Sequence, residues 1–90
     1  MIFVEKAALK DDIAREVVDI EKAESFRIET YKKGGETLHR VSVYLPGQSF
    51  ERLADGLTRE KADAVLNGLI SKVQDQESYV KMSELIAAAE

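Results

Sequence analysis

His39 is the only histidine of the chain, which makes it the first residue to consider for chemistry. It follows Glu36 at the three-residue spacing that places two metal ligands on one face of a helix. Both residues lie in a run with the alternating pattern of a strand, where residues three apart point to opposite faces. We therefore expect no metal role for this pair. We expect His39 to lie half-exposed opposite Thr30 and to be hydrogen-bonded.

Nucleophilic and phosphate chemistry also lack their usual motifs. Six serines occur, but none lies in the G-x-S-x-G turn that exposes a nucleophile. Gly34-Gly35 is not followed by the Lys-Ser/Thr signature of a phosphate-binding loop. The absence of cysteine excludes disulfides, thiolate zinc sites and thiol nucleophiles. The sequence predicts a protein that is not an enzyme, with no catalytic residue, no cofactor and no metal site.

Length and charge narrow the class of protein further. The 90 residues fit one domain, 1–90, and 44% hydrophobic residues indicate a folded chain. The net charge is −4, and basic residues outnumber acidic ones only between 22 and 44. An acidic balance argues against nucleic-acid binding. No segment approaches the roughly 20 apolar residues of a membrane span, and the start lacks an export signal, so we expect a cytoplasmic protein.

The clearest local structure surrounds Gly34-Gly35. Alternating runs, FRIETYKK and ETLHRVSVYL, flank these glycines, which accept the positive φ angles of a two-residue hairpin. The predicted register pairs Lys33 with Glu36 and Glu29 with Arg40, two opposite-charge pairs that agree with the hydrophobic pattern. The core face then carries Phe26, Ile28, Val41, Val43 and Leu45. The outer face carries Arg27, Glu29, Lys33, Glu36, Arg40 and Ser42.

Pro46 and Gly47 follow in the stretch YLPGQSF and predict a type II turn. A cell-wall sorting signal would need Thr-Gly where this chain has Gln48-Ser49, followed by an apolar tail with basic residues, and both are missing. The chain then returns as a third strand in SFERLA, with Phe50 opposite Leu45. The sheet is predicted to be an antiparallel meander of about three strands.

The main helix is predicted at residues 58–74. Thr58 is a suitable N-cap, Glu60 favours the first turn and Lys72 favours the last. Gly68 lies inside the helix and costs about 1 kcal/mol relative to alanine, which we interpret as a close approach to the sheet. The apolar stripe comprises Leu57, Ala62, Val65, Leu66, Leu69, Ile70 and Val73.

Shorter elements are predicted at both ends. YVKM at 79–82 predicts a short fourth edge strand, and a terminal helix is expected from Ser83. Apolar residues recur at helical spacing behind Asp11 and Asp12 and favour an N-terminal helix over 10–23, with a further hairpin turning at AES as the alternative. The predicted fold class is α+β, with the helix at 58–74 packed on the core face of the meander.

The outer face of the hairpin is the candidate binding surface. Tyr31 is predicted to pair with Leu38, and Tyr44 to lie near Leu53. Tyrosine and arginine among leucines are typical of protein interfaces. We therefore predict a non-catalytic interaction domain that binds a protein partner, or a second copy as a homodimer, through these four residues. The alternative is that the N-terminal segment covers this face as a second core layer.

A second hypothesis assigns the same face to single-stranded nucleic acid. The alternative face is made of Arg27, Lys32, Lys33 and Arg40, with two tyrosines on which bases would stack. Phosphate-binding surfaces seldom interleave as many carboxylates as Glu29, Glu36 and Glu51 would place here. Protein interaction is therefore the favoured prediction.

Overall fold

The computed structural model describes residues 1–90 and contains six strands and two helices. The strands form two three-stranded sheets, with the orders β3-β4-β5 and β2-β1-β6. This arrangement confirms the α+β class. The elements are β1 (Phe3–Glu5), β2 (Val17–Asp19), β3 (Ser25–Lys33), β4 (Glu36–Leu45), β5 (Ser49–Leu57), α1 (Arg59–Gln74), β6 (Tyr79–Lys81) and α2 (Met82–Ala88).

The β3-β4 hairpin has the predicted register. Lys33 lies opposite Glu36, and Glu29 lies opposite Arg40. Gly34 and Gly35 have φ angles of 58° and 83°, as a two-residue turn of left-handed residues requires. Val41 and Val43 are fully buried on the core face. The hairpin therefore positions one apolar and one polar face as the sequence indicates.

The third strand is shifted by one residue from the prediction. Leu45 lies opposite Ser49, so three residues form the loop, with positive φ angles of 83° at Gly47 and 62° at Gln48. Phe50 therefore lies opposite Tyr44 and not opposite Leu45. A one-residue shift in register exchanges the faces of a strand. The shift places Phe50 on the outer face.

A bulge in β5 places two consecutive residues of the strand in the core. The register against β4 shifts on both sides of Val41, and the consecutive residues Leu53 and Ala54 are both completely buried. Gly56 has a φ angle of 68°, which a residue with a Cβ rarely adopts. The strand continues through this glycine to Leu57. Leu53 is thus a core residue in the centre of the domain.

Helix α1 packs on the core face of the β3-β4-β5 sheet, as predicted. The Oγ1 atom of Thr58 accepts a hydrogen bond from the backbone N–H of Lys61, which confirms the N-cap. Ala62, Val65 and Leu69 are its buried residues. They belong to one core cluster with the buried valines of β4 and with Leu53.

The close approach at Gly68 is to a helix and not to the sheet. A Cβ built on Gly68 would lie 3.0 Å from the Cδ2 atom of Leu85 in α2. Helix α2 begins at Met82 and its N-cap is Lys81, so Ser83, the predicted cap, lies inside the helix. Met82 is fully buried and joins α2 to the core.

The predicted N-terminal helix at 10–23 is wrong. Val17–Asp19 forms β2, which pairs antiparallel with β1, and β6 pairs parallel with β1 on the other side. The predicted strand at 79–82 therefore exists, but it belongs to this second sheet and not to the meander. β-Branched valines favour a strand, and the partner strand at Phe3–Glu5 lies too far away along the chain for a local pattern to indicate it.

Candidate functional site

The outer face of the β3-β4-β5 sheet keeps much of its side-chain surface accessible. Tyr31, Leu38 and Tyr44 are half-buried there, whereas Leu53 is completely buried in the core. Leu53 therefore does not belong to this surface. The N-terminal segment meets the sheet along the edge of β5, where the N–H groups of Ala7 and Ala8 donate hydrogen bonds to the Leu53 carbonyl over 2.7 and 3.2 Å.

Stacked arginine and aromatic side chains cross the outer face. The guanidinium of Arg27 lies 4.1 Å from the centre of the Tyr44 ring. The Tyr44 and Phe50 rings are stacked with centroids 5.6 Å apart. The guanidinium of Arg52 lies 5.8 Å from the Phe50 ring centre. These four side chains form one row across three strands, and cation–π contacts hold the two arginines in place.

A second cluster surrounds Tyr31. The Tyr31 hydroxyl donates to the Asp55 carboxylate and accepts the Gly56 N–H over 3.1 Å. The bond to Asp55 raises the pKa of the Tyr31 hydroxyl, because it favours the protonated form. Arg40 stacks 4.0 Å from the Tyr31 ring centre, and its Nε is buried without a hydrogen bond, 3.8 Å from the Asp55 carboxylate.

Glu29 lies between these two groups. Its carboxylate accepts hydrogen bonds from Ser42 Oγ at 2.7 Å and from Tyr44 Oη at 2.8 Å. The hydrogen bond from Ser42 lowers the pKa of Glu29, and partial burial of the carboxylate raises it. The hydrogen bond from Tyr44 and the charges of Arg40 and Arg52 lower this pKa further. The hydrogen bond that Tyr44 donates to Glu29 raises the pKa of the Tyr44 hydroxyl. The face thus has an ionised carboxylate at its centre at neutral pH.

A groove of about 680 Å³ adjoins the outer face beside β5. One wall is the segment after β1, and the other is β5 itself. Leu9, Ile13 and Phe50 contribute apolar surface, with Leu9 38% and Phe50 46% exposed. Lys6 links the two walls by ion pairs. Its Nζ lies 3.0 Å from the carboxylate of Glu16, in the N-terminal segment, and 3.0 Å from the carboxylate of Glu51, in β5.

The expected hydrogen bond of His39 is present. Its Nδ1 lies 3.1 Å from Thr30 Oγ1, but the residue is buried at 8% exposure and not half-exposed. Its neighbour across the strands, Leu57, is also buried. No group of three or more histidine, aspartate or glutamate side chains has the spacing of a metal site.

The residues of the nucleic-acid hypothesis do not share one face. Arg27, Lys33 and Arg40 lie on the outer face, whereas Lys32 alternates onto the opposite one. Arg40 is largely buried between Tyr31 and Asp55. The structure therefore places these four residues on both faces of the sheet and not in one continuous basic strip.

Sequence reasoning missed the groove entirely. The predicted register of β5 is wrong by one residue and puts Phe50 on the core face, and the predicted N-terminal helix over 10–23, which includes Ile13, does not form. A loop of only three residues, Pro46 to Gln48, would have predicted the observed position of Phe50. Ser49 then pairs with Leu45, and Phe50 pairs with Tyr44 on the outer face.

Comparisons with known proteins give no functional information, so a function is inferred from the geometry of the chain. No protein-family model matches the chain, and no curated protein or solved structure is significantly similar to it. Neither helix has the length and apolar character needed to cross a membrane.

Proposed function

We propose that this domain is a non-catalytic protein-binding module whose partner presents an apolar side chain flanked by carboxylates. The observation that carries the proposal is the exposed pair Phe50 and Leu9 in one groove. Exposed large apolar residues in a concavity are typical of interaction sites, and aromatic residues contribute strongly to binding energy. The partner's apolar side chain enters the groove between Ile13 and Phe50.

The charges around the groove support a partner with carboxylates. Lys10, Arg27 and Arg52 form no ion pair within the chain, although they belong to a protein with a net charge of −4. Lys10 and Arg52 line the groove directly. Arg27 and Arg52 are already oriented by their aromatic neighbours, so they lose little side-chain entropy on binding. Tyr31, Leu38 and Tyr44 extend this surface across the sheet.

Single-stranded nucleic acid is the weaker candidate for the same face. Base stacking needs an open ring face, and Tyr44 lies between Arg27 and Phe50. Arg40 covers Tyr31 in the same way. The ionised Glu29 at the centre of the face repels phosphate.

The test uses short synthetic peptides and NMR chemical shifts. One peptide carries a central leucine flanked by aspartate and glutamate, and its matched control carries lysine in place of each acidic residue. We expect the acidic peptide to shift the signals of Leu9, Phe50 and Arg52 in a saturable manner and the control to leave them unchanged. Phe50→Ser should abolish the shifts while the circular dichroism spectrum stays native.

An oligothymidylate titration under the same conditions completes the test. The proposal is overturned if the oligothymidylate shifts these signals and the acidic peptide does not, or if both peptides act equally. Salt gives a second criterion, because oligonucleotide binding weakens steeply with salt, whereas binding of a peptide held by an apolar side chain and a few carboxylates weakens less.

A further inference from the structure

The two edges of the β3-β4-β5 sheet differ in how they are covered. The edge of β5 receives backbone hydrogen bonds from Ala7 and Ala8. Strand β3, which is nine residues long, pairs only with β4. Long unpaired edges offer a template for a further strand, and natural proteins usually cover or interrupt them.

The hairpin fixes which backbone groups of β3 point to the open edge. Lys33 and Glu36 flank a two-residue turn and so exchange both of their hydrogen bonds. Alternation along the strand then directs the N–H and C=O groups of the even-numbered residues away from β4. These residues are Phe26, Ile28, Thr30 and Lys32. Their backbone groups are available to a new strand without breaking any bond of the hairpin.

Apolar side chains at this edge are incompletely covered. Phe26 and Ile28 pack against the core cluster but are only partly buried, whereas Val43 and Val41 across from them in β4 are completely buried. A strand added at the edge would extend the sheet over the open side of both residues. At this edge, unpaired backbone groups and incompletely buried apolar side chains therefore occur side by side.

We infer that two copies of the chain pair antiparallel through β3, with the two-fold axis at Ile28. Ile28 of each copy then lies opposite its equivalent. Across this axis Arg27 lies opposite Glu29 of the second copy. Glu24, the residue directly before β3, lies level with Lys32 of the second copy, and its own N–H is bonded to the Tyr44 carbonyl. Symmetry repeats each contact, so the interface holds four pairs of opposite charges.

The neighbouring registers are disfavoured by like charges. Moving the axis to Glu29 places Glu29 opposite Glu29, and moving it to Thr30 places Arg27 opposite Lys33. Moving it to Arg27 places Arg27 opposite Arg27. Like charges directly opposite destabilise a pair of strands, so these three registers are disfavoured relative to the one centred on Ile28.

The dimer leaves the lining of the proposed groove free, although it engages Arg27 of the outer face with Glu29 of the second copy. It forms one six-stranded sheet in which β5 of each copy is an outermost strand, so both grooves stay open. The two outer faces become a single surface on one side of that sheet. Failure of peptide binding would therefore leave this inference standing, and failure of dimerisation would leave the groove untouched.

The test is a charge exchange at Glu24 and Lys32, two exposed residues with no ion pair inside the chain. Sedimentation equilibrium should give a dimer for the natural sequence. Lys32→Glu places two carboxylates opposite each other, and Glu24→Lys places two ammonium groups opposite each other. We expect each single variant to weaken dimerisation about tenfold at low salt, and the double variant to restore it.

Two controls keep the outcome decisive. Circular dichroism verifies that every variant is folded, and hydrogen exchange at the Ile28 and Thr30 amides should slow as the protein concentration rises. A wild-type monomer at about millimolar concentration overturns the inference, and so does a double variant no tighter than the single ones. A dimer broken by Tyr31→Ser with Leu38→Ser, but not by Lys32→Glu, would place the contact on the outer face and also overturn it.

Discussion

The ring of Tyr44 in β4 stacks on the ring of Phe50 in β5, with the ring planes inclined by 24°. The two residues are direct cross-strand partners. Three residues further along β5, Leu53 is completely buried, whereas Phe50 is 46% exposed. Residues three apart on a strand point to opposite faces, which explains why these two apolar residues of β5 have opposite environments. Leu53 stabilises the fold, and Phe50 is available for contact with another molecule.

Alanine substitutions at these two positions should separate the two roles. Leu53→Ala removes a fully buried side chain and should destabilise the protein by about 2–5 kcal/mol. Phe50→Ala loses the stacking on Tyr44, the contact with Arg52 and part of its burial, so we expect about 1 kcal/mol. Urea unfolding followed by circular dichroism measures both. Equal losses would mean that Phe50 is a structural residue, and its exposure would no longer support a binding role.

The Glu29 carboxylate should titrate below the ordinary range of glutamate. Its pKa is lowered chiefly by the Ser42 hydrogen bond. A lowered folded-state pKa contributes stability above the unfolded-state pKa, and this contribution is lost as the pH falls through the folded-state value. The stability difference between the natural protein and Glu29→Gln should therefore shrink on acidification.

Carbon-detected NMR titration measures the pKa of Glu29 directly. Ser42→Ala should raise this pKa, since it removes the largest stabilising contact of the carboxylate. Glu36→Gln is the matched control, because Glu36 lies on the same face near the turn and accepts no hydrogen bond from Ser42. An unchanged pKa in Ser42→Ala would show that the hydroxyl does not stabilise the carboxylate.

The hairpin and the main helix could be predicted because their signals are local. Gly34-Gly35, the alternation around it and the capping Thr58 each specify a structure within a few residues. The N-terminal third could not be predicted in this way. Its strand β2 depends on pairing with Phe3–Glu5, and β6 depends on the same strand from the other end of the chain. A strand of three residues is too short to show an alternating pattern, so its long-range pairing cannot be predicted from the sequence.

The candidate site was predicted only where it rests on the hairpin. Tyr31, Leu38 and Tyr44 lie on the outer face as the alternation requires. Leu53 was misplaced because the predicted register of β5 differs by one residue from the observed one, and the sequence does not show how many residues form the loop between the two strands. The groove needs the N-terminal segment beside β5, so it emerges only from the assembled structure.

Lys6 should hold the N-terminal wall of the groove in place. Its side chain is 9% exposed, and its Nζ contacts the Glu16 and Glu51 carboxylates. Burial pulls the pKa of Lys6 down, but the hydrogen bonds to Glu51 and Glu16 outweigh this effect and raise it overall. A raised folded-state pKa gives stability that is complete below the unfolded-state pKa and is lost as the pH rises through the folded-state value. The stabilisation is therefore fully present at neutral pH.

Lys6→Met keeps the apolar stem and removes the charge. We expect a loss of about 1 kcal/mol, because two partly buried carboxylates lose their shared partner. Hydrogen exchange at Ala7 and Ala8 should become faster, since their bonds to the Leu53 carbonyl lie beside this contact. Lys61→Met is the control: the Lys61–Glu90 pair is mostly exposed at 3.9 Å, so its loss should change stability by less than about 0.5 kcal/mol.

The exchange rates decide whether the charge or the backbone positions this wall. Unchanged protection of Ala7 and Ala8 in Lys6→Met would mean that the two backbone hydrogen bonds hold the segment unaided. Faster exchange confined to this segment, with the β3-β4 amides unaffected, would assign the positioning role to Lys6. The same variant should then weaken binding of the acidic peptide although Phe50 itself is unchanged, because Leu9 and Ile13 would no longer be fixed opposite it.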